Sequence, residues 1–384
     1  MELYGGNMVR KILLVNDLLY YLKDLYDGRV EEKILYPMDE LLLVGISSVI
    51  CGGEGWQDMR ELGESKLELF CQILPFSNGI ASAYTFENFF SALDPEHFEE
   101  CLVAWVEDFR GESALSIAVD GKTVRRSYDK KKGQAAIHLI SAYCREHGLL
   151  LGQEKVDSKS NEITAIPQLL DLVNIKGSII SIDAIACQKN IVDQIIEKNA
   201  NYVISLKGNQ GTLHKAIKRF FQRHKRQDYQ NVGYEFNHYK DVDSGHGRIE
   251  TRNITVLNQV RWLESADMWS GLASVAMVES AIEKDGTERK ETRYFISSLT
   301  TSPKHMLEII RGHWSIESMH YTLDVTFQED SSRIRQRNAT HNMAILRRVA
   351  LNILKTANIP RKSIKSLRKR AGWDNSVLKQ ILIL

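Results

Sequence analysis

The chain has 384 residues, 43% hydrophobic and 26% charged, with a net charge of +1. That balance excludes a largely disordered chain and leaves apolar content for roughly two or three packed domains. The five cysteines (Cys51, Cys71, Cys101, Cys144, Cys187) are scattered with no Cys-x-x-Cys, which excludes a zinc knuckle or disulfide framework and points to a reducing, cytoplasmic compartment. The longest apolar run, Leu41–Ile50, is about half a membrane span. Asn16 and Asp17 follow the short run Ile12–Val15 too soon for a signal peptide.

The first 110 residues read as helices. Val30–Ile50 and Phe86–Val106 carry apolar residues at three- and four-residue spacing, and Ser82 to Thr85 can cap the second. From Ser113 the pattern changes. Short apolar runs at Ser116–Val119, Ala136–Ala142 and Leu149–Val156 predict three strands. A helix follows over Glu162–Val173 with Asn161 as N-cap, then a buried strand (Ser178–Ile182), a helix (Asn190–Lys198) and a strand (Tyr202–Leu206). This is an α/β order with a mixed sheet. A basic helix, Leu213–Arg226, opens a stretch of polar, alternating segments around Tyr234–Tyr239, Gly247–Val256 and Val275–Glu283, which predicts a mostly β insertion. Asp285-Gly286 is a hairpin turn before Arg289–Ile296. The α/β domain resumes at Tyr294–Leu299, a long helix starts near Pro303, and another covers Asn342–Lys355. The expected organisation is a small α-helical N-terminal domain (1–110), an α/β core in two parts (111–210 and 291–384) and a β-rich insertion between them (211–290).

Charge follows this division. Residues 1–110 hold 20 acidic and 8 basic side chains, and the rest of the chain holds 29 acidic and 42 basic ones. Beyond Ser331 the run from Arg333 through Arg370 faces a single acid, Asp374. Such a tail is either a solvated face or a phosphate-binding surface.

Three carboxylates stand out. Asp120 ends the first strand in Ile117-Ala-Val-Asp-Gly, where Asp-Gly is equally a turn dipeptide. Asp183 interrupts Ile179-Ile-Ser-Ile-Asp-Ala-Ile-Ala, a run that should be buried, so it either has a compensating partner such as a cation or stands at the solvated end of the strand. Glu317 shares a helix face with Ile310, His313, His320 or Tyr321, and Asp324. In a ribonuclease-H-like sheet the first strand is central and the fourth lies beside it, so acids on those strands and on a later helix converge. Three such carboxylates suit two divalent ions about 3.5–4 Å apart that activate an attacking oxygen and stabilise a leaving one at phosphorus. Hard oxygen ligands favour Mg²⁺, with Mn²⁺ as a substitute.

The same residues carry a family resemblance. Ala118-Val-Asp-Gly-Lys-Thr-Val-Arg-Arg-Ser, Lys155 through Pro167, Ile182-Asp-Ala-Ile-Ala-Cys-Gln, Leu206-Lys-Gly-Asn-Gln, His246-Gly-Arg-Ile-Glu and His313-Trp-Ser-Ile-Glu through Asp330 resemble the H-repeat-associated insertion-sequence transposases, a DDE group. Tyr84 through Pro95 resembles the small N-terminal domain associated with them. The resemblance spans nearly the whole chain. It implies Asp120, Asp183 and Glu317 as the catalytic, metal-holding triad. It also implies double-stranded DNA as partner, at transposon terminal inverted repeats and in the target, and a homodimer that cuts two ends in concert. The chain departs from the family at Ser318 and at Met319-His-Tyr. Ile310, His313 and Asp324 stand where related enzymes carry Tyr, Arg and Lys, so a hairpin intermediate that needs those groups is not carried over.

Expected DNA contacts are Lys122, Arg125 and Arg126 beyond the first acid, Lys207, Asn209 and Gln210 after the fifth strand, and Arg248 and Arg252 in the insertion. Trp314 is read as a core residue, with base stacking as the other role. Three rival readings stand: a catalytically silent DNA-binding relic, a ribonuclease-H-like nuclease that cuts without joining, and a metal oxidase or hydrolase. The last rests on Glu317-x-x-His320 and its echo at Glu235–His238, which resemble a di-iron motif.

Overall fold

The computed structural model describes residues 13, 15–111, 114–128, 135–156, 161–230, 233–245, 247–357, 359 and 362–383. Ser113, residues 157–160 of the Lys155–Pro167 segment, His246 and Arg361 lie outside the described residues.

Six helices open the chain: α1 (Val15–Leu22), α2 (Met38–Cys51), α3 (Trp56–Ser65), α4 (Leu67–Phe70), α5 (Ala83–Ala92) and α6 (Pro95–Arg110). The helix expected from Val30 begins eight residues later, because Pro37 has no N–H to give a helix interior and stands at its N-cap. The helix expected over Phe86–Val106 is two. Asp94 accepts from the N–H groups of Glu96 and His97, and Pro95 takes the first helical position, so the chain restarts there. Ser82 caps α5 by accepting from the N–H of Thr85 at 3.2 Å.

The sheet has nine strands in the order β3-β2-β1-β4-β5-β9-β8-β7-β6. They are β1 (Ser116–Thr123), β2 (His138–Cys144), β3 (Leu149–Val156), β4 (Ile179–Ile182), β5 (Asn201–Leu206), β6 (Phe236–Gly245), β7 (Arg248–Leu257), β8 (Ser274–Lys284) and β9 (Thr287–Ser297). β1 pairs antiparallel with β2 and parallel with β4, and β4 pairs parallel with β5. The segment read as an insertion is an antiparallel meander that continues the same sheet. Its last strand, β9, pairs with β5 through Val203↔Ser297 to Leu206↔Tyr294. Tyr294–Ser297 is the inner half of β9 and carries the sheet on to β5. The β8–β9 turn has φ of 49° at Asp285 and 73° at Gly286, the left-handed pair of a two-residue hairpin.

α7 (Glu162–Leu172), α8 (Lys189–Glu197) and α9 (Gly211–Lys225) connect the strands. The long helix expected from Pro303 is broken. α10 (Pro303–His313) and α11 (Ser315–Tyr321) meet at Trp314, and a π turn covers Thr322–Thr326. α12 (Ala339–Thr356) is buried along almost its whole length, and α13 (Ile364–Trp373) and α14 (Asn375–Ile383) follow. Three cations of the expected basic tail are internal. Arg348 on α12 forms a buried salt bridge with Glu99 on α6 (Nη1 2.7 Å from Oε1), Arg347 is buried, and Arg368 donates to the carbonyls of Val49 and Thr326.

Candidate active site

β1 does not turn at Asp120-Gly121. It runs on to Thr123, with Asp120 opposite Ser141 of β2. Gly121 is required mid-strand: a Cβ there would lie 2.4 Å from Oε1 of Glu162 and 2.7 Å from Nε2 of His138, two groups joined by a 2.7 Å hydrogen bond. Burial pushes the Asp120 carboxyl up to about 6, and the carboxylates of Glu162, Glu317 and Asp183 add to the rise while the Gly121 N–H opposes it. His320, buried on α11, places Nδ1 3.6 Å from Oδ2 of Asp120. Burial pushes that imidazole down to about 3, so it sits beside the acid as a neutral ring.

Asp183 is not in a buried strand. β4 ends at Ile182, and the Asp183 side chain is 47% exposed with Oδ2 3.3 Å from the ammonium of Lys207. The chain after it forms a 3-10 turn, Ala184–Ala186. Asn209 donates to the carbonyl of Ala184 (2.5 Å) and Gln210 to that of Cys187 (2.8 Å), so both amides tie the β4 and β5 loops together. These two side chains are engaged with backbone and do not line the cleft.

Glu317 projects from α11 into the same cleft, about 340 Å³ in volume, that Asp120 and Asp183 line. Behind it His313, its pKa lowered by burial, meets Oγ of Ser181 through Nδ1 at 3.2 Å. The other nearby acids are occupied: Asp324 and Glu329 hold Lys122, and Asp330 meets Arg125 at 3.4 Å. Glu317 alone of these faces the two aspartates.

The remaining wall is cationic and aromatic. Lys207 and Arg293 line it, with Arg293 bound to Glu291 (Nε to Oε1 2.8 Å) and lying 4.9 Å from the Trp314 ring. Trp314, at the α10–α11 junction, is 40% exposed and lines the cleft instead of the core. Sequence reading missed Glu291 and Arg293. Their place depends on the pairing of β9 with β5, which no local signal announces.

Other expected contacts lie elsewhere. The Lys122 ammonium is buried between Asp324 and Glu329, an internal ion triad. Arg252 is buried and paired with Asp241 (3.1 Å) and Glu250 (2.6 Å). Arg125, Arg126 and Arg248 are exposed. Arg125 is bound to Asp330, Arg248 lies 3.8 Å from Glu250, and the Arg126 carbonyl accepts from Arg335 at 3.4 Å. His238 lies on the edge strand β6, so the two Glu-x-x-His segments do not share a helical bundle. No described helix is long and apolar enough to cross a membrane.

Four carboxylates line the cleft: Asp120, Asp183, Glu317 and the Arg293-bound Glu291, with Asp120 desolvated and crowded by like charge. Among the described residues no three His, Cys, Asp or Glu side chains stand close enough together to hold a metal ion as they are placed.

The cleft thus gathers four acids and two paired cations at the strand ends of a mixed α/β sheet. Comparison with known proteins gives the class. The transposase DDE domain model matches residues 112–353, and a DDE-associated model matches residues 19–106. The chain therefore belongs to the DDE transposase family. It is 35% identical over 376 residues to "Putative transposase YncI" of Escherichia coli O157:H7, covering 96% of this chain and 95% of that one. It is 34% identical over 372 residues to "H repeat-associated putative transposase YhhI" of Escherichia coli K12, covering 95% and 97%.

Proposed function

We propose that this protein is a DDE transposase that cuts DNA at transposon ends and joins the freed strand to target DNA. The observation that carries the reading is the meeting of Asp120, Asp183 and Glu317, from β1, the end of β4 and α11, on one cleft. The order β3-β2-β1-β4-β5 with β2 antiparallel supports a ribonuclease-H-like core. On this reading residues 1–110 form the associated helical domain, 211–290 the β-rich insertion, and 111–210 with 291–384 the core.

The three carboxylates would hold Mg²⁺, or Mn²⁺ in its place. When bound, such ions activate the attacking water or 3′-hydroxyl and stabilise the leaving oxygen. The chain's own groups do the positioning. Lys207, now shared with Asp183, and Arg293, fixed by Glu291, present cations to the scissile phosphate at the cleft wall. His313 and His320 fill the space behind the acids as neutral rings, so they add no competing positive charge there. Asn209 and Gln210 serve the site by fixing the loop that carries Asp183. Trp314 gives a flat surface on which an unstacked base can rest. Two ends cut in concert call for a homodimer in the active complex, acting in the cytoplasm.

The test is a pre-cut terminal repeat offered with target DNA and Mg²⁺. Joined product is expected. Cutting of uncut ends without joining would mark a nuclease, and binding alone a silent relic.

A further inference from the structure

The cleft accounts for a few phosphates at the point of reaction, yet a row of unpaired cations lies outside it on α9. From Lys198 to Gln227 the sequence has no acidic residue. Within that run α9 is amphipathic. Leu213, Ile217, Phe221 and His224 are buried, while Lys215, Lys218, Arg219, Arg223 and Arg226 are exposed. Their spacing puts the five cations on one face. Lys225 is bound to Glu279, but none of the five makes an ion pair among the described residues.

Place in the fold argues for a specific occupant. α9 begins four residues after Lys207, at the rim of the cleft. Its inner face packs on β9, with His214 and Phe221 against Tyr294, the residue next to Arg293. Adjacent strand residues point to opposite sides of a sheet. The helix thus starts at the rim and runs along the other side of the sheet from the acids. Beside it Arg219 and Arg223 flank a groove of about 430 Å³ walled by the stacked rings of Phe220 and Trp262. From Lys215 to Arg226 the row spans about 16 Å at 1.5 Å per residue. That is about half of a 34 Å turn of duplex.

We infer that the exposed face of α9 is a second DNA-binding surface, which tracks the phosphates of the duplex flanking the reaction point as it leaves the cleft over its Lys207 rim. A row of unpaired cations continuous with a cationic cleft wall suits a long polyanion that already occupies that cleft better than a separate acidic protein. The inference rests on the transposase reading above.

The test uses the full chain and fluorescence anisotropy on a labelled 40-base-pair duplex in EDTA, so that no catalysis is needed. In the variant Lys215→Ala/Arg219→Ala/Arg223→Ala the affinity should fall at least tenfold at moderate salt. The slope of log K against log salt should become shallower by about 2–3. All three side chains are exposed, so the unfolding temperature should hold. The variant Lys215→Arg/Arg219→Lys/Arg223→Lys, which keeps every charge, should bind as the wild type does. Unchanged affinity and slope in the alanine variant would overturn the inference. The two readings fail separately. If the wild type cuts and joins DNA while the alanine variant binds normally, only the role of α9 falls. If the variant loses duplex binding while the wild type never cuts, only the catalytic reading falls.

Discussion

With its carboxyl pushed up to about 6 by burial, Asp120 keeps its proton in the folded chain over a pH range where an unfolded aspartate has lost it. The stabilising effect of that raised value is complete below the unfolded pKa of roughly 4 and disappears as pH rises through 6. Above pH 6, without a cation, the ionised group is a liability: two pKa units correspond to about 3 kcal/mol, which the 30% exposure of the side chain reduces to about 1–2. Asp120→Asn should therefore unfold at a higher temperature than the wild type at pH 8, with the difference closing below pH 4. Equal melting curves at both pH values would show that the site does not strain this acid. The ground for Asp183 is different from the one its sequence suggested. An apolar run implies burial, but β4 stops one residue short, and the carboxylate stands in the cleft against Lys207. Asp-Gly at 120 is a turn dipeptide by local pattern, but its pairing with Ser141 and Ile140 of β2 keeps both residues within β1.

Lys122 ties two elements together. It sits on β1 two residues past Asp120, and its buried ammonium joins that strand to Asp324 of the π turn and Glu329 beyond it. Removing one partner of a buried ion group costs about 3–5 kcal/mol, because the others are left desolvated and uncompensated. Lys122→Ala should lose stability on that scale in urea unfolding, and Lys122→Met/Glu329→Gln should regain much of it. A Lys122→Ala protein of wild-type stability that fails to bind DNA would instead restore the phosphate role expected from its position after Asp120. Element types were legible wherever a local pattern decides them: the three strands after Ser116, the Asn161 and Ser82 caps, and the Asp285-Gly286 hairpin all follow from spacing and turn chemistry. What was not legible depends on long-range pairing. The junction of β9 with β5 brings Glu291 and Arg293 to the cleft wall that Trp314 also lines.

Across the whole molecule, the charge asymmetry of the sequence has two origins. Part of it is structural: acidic N-terminal helices meet basic C-terminal ones inside the protein, as at Glu99 and Arg348, and Arg368 is used on carbonyls. Other cations stay exposed, among them the row on α9 and Lys362, Lys365 and Lys369 near the C-terminus. Composition shows the imbalance but cannot say which charges are internal, since that depends on how α6 and α12 pack. The catalytic reading rests on three acids separated by up to 197 positions in sequence and gathered by β1, β4 and α11. The most direct test is the initial rate of Mg²⁺-dependent cleavage of DNA carrying the element's ends. It would be measured for the wild type and for Asp120→Asn, Asp183→Asn and Glu317→Gln side by side, with duplex affinity taken in parallel. Each substitution is predicted to reduce cleavage by at least about a hundredfold, on the order of 3 kcal/mol of transition-state stabilisation, while affinity changes by no more than a few-fold. Wild-type cleavage by any one of the three would contradict the assignment.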